Sequence, residues 1–345
     1  MEKTKVKFNF ITWFKKNWTE SALFSTGVAL FVMVILQTVA LGFEFDSFGE
    51  WFATWANNWI NILRNNAGVG IVALGMAFVI ISGGIDLAVG STMVAVGAVL
   101  MMIIDNGPNA LLASTGITGV PLYIIGIVVA IAMGCGLGQL TGVLVTKGKL
   151  PPFIATLGMM KILRSVTQHF MQTNSPKVPT GFLQIASLKM GNLLIMPIIY
   201  WLVIAIILYI VSKKTAFGRY VYAVGSNERT AKLSGINVGK VKRKVYALIG
   251  MLVGVTAILQ VSRIGSMDYA NAGSGYEMDA IAAVIVGGVS MSGGKGSVMG
   301  AVLGMLIIAV MNNLLNLLGV PPFLREAFKG MIVIGAVLLQ KKEEN

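Results

Sequence analysis

Charge is scarce in this sequence: Asp, Glu, Lys and Arg make up 12% of its 345 residues, about half the share of an ordinary soluble domain. A single cysteine, Cys135, rules out an intrachain disulfide, and a single histidine, His169, has no cysteine or carboxylate at ligand spacing, which leaves no metal site to expect. Within the apolar stretches carboxylates are almost missing, Asp86 being the exception; a proton- or sodium-coupled carrier uses a relay of several such groups. No nucleophile, base and orienting group occur together in an apolar stretch, so no catalytic residue is assigned. Segments of about 10 residues with alternating hydrophobicity, the mark of a membrane β-barrel, are absent too.

What fills the chain instead is apolar: 56% hydrophobic residues and a mean hydropathy of +0.79. A bilayer-crossing helix needs roughly 20 apolar residues. Such runs, some of them short, lie near residues 21–41, 61–81, 91–104, 121–145, 152–171, 192–212, 244–263, 279–290, 297–318 and 326–340. The expectation is an all-α, polytopic transmembrane bundle of about ten spans, some short or broken. Lysines 3, 5, 7, 15 and 16 precede the first run with no small-residue cleavage site, which predicts a cytoplasmic segment over 1–20 and a retained first span. With the N-terminus inside, most of the 27 basic residues fall on the cytoplasmic side. Both termini are then cytoplasmic, and the aromatic loop with Trp51, Trp55 and Trp59 lies at the outer interface. The formal charge of +13 is thus a signature of topology and not a footprint for nucleic acid. Residues 21–345 form a single transmembrane domain, interrupted by a cytoplasmic loop over 213–243.

Glycine is abundant, 41 residues, and small residues let membrane helices approach closely, as in "GCGLGQLTG" and "VMGAVLGM". Two clusters suggest more. "SGGIDLAVGS" (82–91) and "VGGVSMSGGKGS" (286–297) both set Gly-Gly and a short polar dip between half-length apolar runs. That pattern predicts broken or re-entrant helices, tolerated only where backbone is buried or lines a wet cavity. The two form a weak internal repeat, with Ser290 where the first has Asp86. The candidate path and gate residues are Gly83, Gly84, Asp86, Ser91, Gly287, Gly288 and Ser290. Asp86 is expected to accept from glycine N–H groups or bond Ser91, or to cap the next helix; direct contact with a transported solute is the least favoured role. A phosphate loop fails at "MSGGKGS", because Gly296 follows Lys295 and Val289 stands five places before Gly294.

In the polar loop, Ser226 or Asn227 can cap a short helix over "ERTAKL" that Gly235 ends. By itself this is a solvated interfacial loop or a docking peg. Outside, "SRIGSMDYANAGSGYEMDA" (262–280) carries Tyr276, Glu277 and Asp279, a candidate docking surface or lid; the alternative is a solvated loop with Asp279 capping the helix that follows.

Several of these blocks have a familiar pattern. "GGIDLAVGS", "LPPFIATLGMM", "FGRYVYAVGSNERTAKLSGI" and "GSGYEMDAIAAVIVGGVSMSGGKGSVMGAVLGM" with the following "NNLLNLLGVPPF" occur in that order over most of residues 60–335. Together they resemble the permease subunits of bacterial ATP-binding-cassette importers of monosaccharides, of the ribose and galactose type. The resemblance implies a cytoplasmic-membrane protein that moves sugar without being an enzyme. Its partners would be a second permease copy, cytosolic ATPases that bind the ATP and Mg, and an extracytoplasmic sugar-binding protein. It further implies a coupling helix over 227–236, with Asn227, Glu228, Arg229, Ala231, Lys232, Ser234 and Gly235 meeting the ATPase, although Thr230 stands where the family usually has alanine. Val289 and the "RIGS" at Arg263 resemble the galactose members slightly more than the ribose ones. The rival expectations are an ion-coupled secondary sugar transporter and a membrane-embedded enzyme.

Overall fold

The computed structural model describes residues 21–344 except 44, 108–109 and 189–192, so the expectation for residues 1–20 lies outside the described residues. All the regular elements are helices: α1 Ala22–Leu41, α2 Phe48–Ile81, α3 Val89–Ile104, α4 Val120–Thr146, α5 Pro152–Met171, α6 Thr180–Ser187, α7 Met196–Lys214, α8 Ala216–Ser226, α9 Glu228–Leu233, α10 Val238–Ile264, α11 Tyr276–Val286, α12 Val298–Leu317 and α13 Pro322–Glu344, with a 3-10 turn at Ala113–Thr115. Six of them, α1, α2, α4, α7, α10 and α12, are long and apolar enough to cross a membrane. A helix stands at each of the ten expected places, but α3 and α11 are short and α5 and α13 are more polar.

Helix starts follow local chemistry. Ser21, Ser47 and Ser297 cap α1, α2 and α12 through their hydroxyls. Proline occupies the first turn of α4, α5 and α7, where a missing N–H costs nothing. The segment expected to be an outer loop before residue 61 is helical from Phe48 onward. Ser47 caps it, Phe48, Phe52 and Trp55 stack in succession along one face, and Trp59 meets Trp55 at a tilt.

Packing separates centre from rim. About three-quarters of the apolar windows of α2 and α10 are enclosed (78% and 72%), against 11% for α1 and 22% for α4 and α7. Glycine lets backbone meet backbone where α4 crosses α10: Gly134 and Gly138 lie against Gly250, Gly254 and the Tyr246 carbonyl, and any Cβ there would strike main chain. On the far side, Gly287 and Gly304 bring α11 equally close to α12. The ordinary packing role expected of "GCGLGQLTG" and "VMGAVLGM" therefore holds.

Candidate functional site

Both glycine clusters break the bundle where they were expected to. The first break, residues 82–88, follows α2. Gly83 adopts φ +78° and, with Gly84, returns its N–H to carbonyls of the last turn (Ile80 at 2.9 Å, Val79 at 2.9 Å), closing the helix as only glycine does without strain. The second break, residues 287–297, begins alike, with Gly288 at φ +81° and bonds to Ile285 and Val284, but runs longer before α12. The weak repeat is thus real as geometry. Ala88 N–H donates to Asp86 Oδ1 (2.8 Å), and Ser292 N–H donates to Ser290 Oγ (3.2 Å), so each polar dip makes the same two-residue side-chain turn.

Asp86 is 5% exposed. Its observed partner corrects the expectation of Ser91 or a glycine N–H: the chain past Asp86 turns so tightly that the amide two residues on reaches the carboxylate first. Nor does Asp86 cap α3, whose cap residue is Ala88. Beside it Tyr246 of α10 donates its hydroxyl to the Ile85 carbonyl (3.1 Å), clamping the break. Ser91 is buried in the first turn of α3, and Gly287 serves close packing against Gly300.

The loop expected over 213–243 holds two short helices, α8 and α9, joined at Asn227. As expected, Asn227 caps α9 by accepting from Thr230 N–H (2.9 Å). Gly235, at φ +81°, ends it, and Ile236 N–H returns to the Ala231 carbonyl (3.0 Å). Glu228 pairs with Lys242 of α10. Ala231 is a correction: it is 4% exposed, packed into the protein, whereas Leu233, missing from the expected contacts, is 85% exposed. Glu228, Arg229, Lys232, Ser234 and Gly235 are exposed.

The two breaks and the peg meet at one place, which sequence spacing could not reveal. Gly294 N–H donates to the Ile81 carbonyl (2.8 Å), joining the second break to the end of α2. Gly225, in the last turn of α8, lies against both groups, so a Cβ there would overlap the Ile81 oxygen. Gly293 packs on the Gly225 carbonyl and on Gly83, and Tyr222 donates its hydroxyl to the Gly296 carbonyl (3.0 Å). Phe217 of α8 stacks flat on Phe78 of α2, with ring centroids 6.1 Å apart. Only Ser226 and Asn227 separate Gly225 of this knot from the peg helix α9.

The outer segment departs from expectation. Instead of a solvated loop, residues 265–275 fold back into the bundle. Met267 lies over Gly97, and Gly273 lies against Gly90 at the start of α3. Arg164 of α5 donates to the Tyr269 (3.2 Å) and Ala272 (2.8 Å) carbonyls and fastens the fold-back. The exposed Asp268 carboxyl is held below the usual carboxylate range, chiefly by the Asn271 side chain and then by the Ala270 and Asn271 amides. Helix α11 starts at Tyr276 with Gly275 as its cap, so Asp279 is no cap; it pairs with Lys329 of α13 (2.9 Å). Glu277 faces Gly90, and Tyr276 is partly buried. The three residues expected to meet a partner are thus turned inward, because the fold-back draws the start of α11 into the bundle.

Among the described residues no three His, Cys, Asp or Glu side chains come together as metal ligands.

Comparison with known proteins agrees with a transport role. The family described as "Branched-chain amino acid transport system / permease component" matches residues 58–337. The chain is 41% identical to the ribose import permease protein of Escherichia coli K12 over 84% of its length and 87% of that protein's. To the ribose import permease protein of Bacillus subtilis 168 it is 40% identical (83% and 85%). With the galactose/methyl galactoside import permease protein of Salmonella typhimurium it shares 32% over 96% of each. Identity is higher to the ribose permeases than to the galactose permease, the opposite order to the slight resemblance at Val289 and Arg263. No solved structure matches the chain. With 280 consecutive residues matched to one family (58–337) and relatives aligned over most of their own length, this multi-pass membrane protein belongs to the permease-component family of bacterial transport systems.

Proposed function

We propose that this chain is the permease subunit of an ATP-binding-cassette importer that carries a monosaccharide, of the ribose or galactose kind, across the cytoplasmic membrane. It crosses the membrane about ten times with both termini inside. Two copies form the passage, cytosolic ATPases bind ATP and Mg, and an extracytoplasmic sugar-binding protein delivers the substrate. The exposed turn at Asp268, Asn271 and Ser274 is the part of the fold-back free to meet that protein. The observation that carries the proposal is the knot at Gly225. An exposed cytosolic peg joins, through two residues, a contact that touches the ends of both helix breaks. ATP-driven closure of the ATPases moves the peg, the knot shifts, and the half-helices α3 and α11 repack to open the path. In right-side-out vesicles loaded with ATP and supplied with the binding protein, uptake follows ATP and survives a protonophore; uptake that follows the proton gradient and ignores ATP depletion belongs to a secondary transporter instead.

Asp86 shapes the gate by holding the turn before α3. Replacing it with alanine leaves the Ala88 N–H without its acceptor inside the bundle, a loss of about 1–3 kcal/mol, and lowers uptake at least about tenfold at normal membrane abundance. Asp86→Asn keeps the acceptor oxygen and most of the uptake. Full transport by Asp86→Ala at normal abundance removes the gating role.

A further inference from the structure

Helix α5 carries a polar edge that no described part of the chain covers. It is 20 residues long, as long as α1 and α12, and after a short turn at 147–151 it packs chiefly against α3. At about 100° per residue, Gly158, Lys161, Ser165, Gln168, His169 and Gln172 fall within one arc of the helix. Gly158, Lys161, Ser165, His169 and Gln172 are exposed, and Gln168 is partly so. Ile162 (57%) and Val166 (48%) flank the arc. On its other side Arg164 turns away to hold the fold-back. Lys161 pairs with no carboxylate among the described residues.

Ionisable and hydroxyl groups at this depth are costly against lipid and face protein or water. The rest of α5's exposed surface is apolar (Phe153, Ile154, Phe170), and α7 exposes Leu202, Val203, Ile206, Ile207 and Ile210 with no polar edge of this kind. We propose that the Lys161–Ser165–His169 edge of α5 lines the water-filled route of the sugar, whose far wall is the same edge of a second copy. A hydroxyl, an ammonium and an imidazole in file suit a polyhydroxylated solute, offering exchangeable hydrogen bonds without a tight site. The proposal rests on the importer assignment above.

The test uses the assembled transporter in membranes, with Cys135 replaced by alanine and one cysteine placed at Ser165→Cys, Lys161→Cys or, as a lipid-facing reference, Ile206→Cys. The probe is the membrane-impermeant trimethylammonium-ethyl methanethiosulfonate, which reacts with the thiolate that only water allows to form. Ser165→Cys or Lys161→Cys is expected to react at least about tenfold faster than Ile206→Cys, and saturating sugar with its binding protein slows the reaction. Labelling of both at the Ile206→Cys rate puts the edge in lipid. Protection of both from every thiol reagent, permeant maleimides included, makes it a dry contact between copies. Either result overturns the proposal. Because labelling needs no transport, a water-accessible edge in a transporter driven by protons would refute the importer assignment and leave the route intact.

Discussion

Replacing Gly225 with valine is expected to leave an assembled transporter that hydrolyses ATP and imports little sugar. The new side chain meets the Ile81 carbonyl oxygen and crowds the Gly294 amide, both of them main chain that cannot swing aside. Overpacking of this kind costs about 1–3 kcal/mol. Here the cost falls on the contact joining α8 to both breaks, so it weighs on the rearrangement rather than on the spans. The peg surface, beginning three residues later at Glu228, is unchanged, and the ATPase still docks. Uptake per assembled complex should fall about tenfold or more, the effect of roughly 1.4 kcal/mol on an equilibrium. Tyr222→Phe is the milder companion: it removes only the hydroxyl bond to Gly296, worth about 1 kcal/mol, and should cut uptake less while assembly stays normal. The measurement is the ratio of sugar moved to ATP hydrolysed in reconstituted vesicles. Wild-type coupling in both variants would show that the knot transmits nothing.

The second large effect belongs to Leu233. A leucine 85% exposed at the end of a cytoplasmic helix is a side chain awaiting a partner, and burying one in an interface contributes roughly 1.5–3 kcal/mol. Aspartate at that position loses this contribution and would have to be buried unpaired. Co-purification of the ATPase with Leu233→Asp should weaken on the order of 100-fold in affinity. The peg itself keeps its fold, because its cap (Asn227), its end (Gly235) and its anchor (Ala231) all lie elsewhere. Undiminished ATPase binding by Leu233→Asp would mean that α9 does not dock through this tip.

The helices and both breaks were legible in the sequence because each rests on a local signal. Apolar runs of span length are set by the lipid, proline marks the starts of α4, α5 and α7, and Gly-Gly with a polar dip marks each break. The peg was legible for the same reason: Asn227 and Gly235 are its cap and its stop, both fixed by atoms within four residues. What could not be read depends on contacts between distant residues. That Gly225 lies on Ile81 and Gly294, or that Gly273 reaches Gly90, follows from how helices cross. A glycine needed for close approach looks like any other among 41. The side on which Ala231 and Leu233 fall was likewise invisible, since a six-residue helix is too short for periodicity to fix its buried face. The polar start of α11 was read as an exposed docking surface or lid, or a solvated loop, because Glu277 and Asp279 carry charge. Their partners, Gly90 and Lys329, stand far away in sequence, and one of them is charged.

The measurement that bears most directly on the central claim is sugar uptake by reconstituted permease and ATPase, supplied with the sugar-binding protein, when residues Glu228–Leu233 are replaced by a glycine-serine stretch of equal length. If movement is driven through the peg, wild-type vesicles take up sugar only with ATP, and the replaced protein, present at equal amount, takes up none even when ATP is supplied. Uptake at the wild-type rate by the replaced protein, or by the wild type without nucleotide, would contradict it.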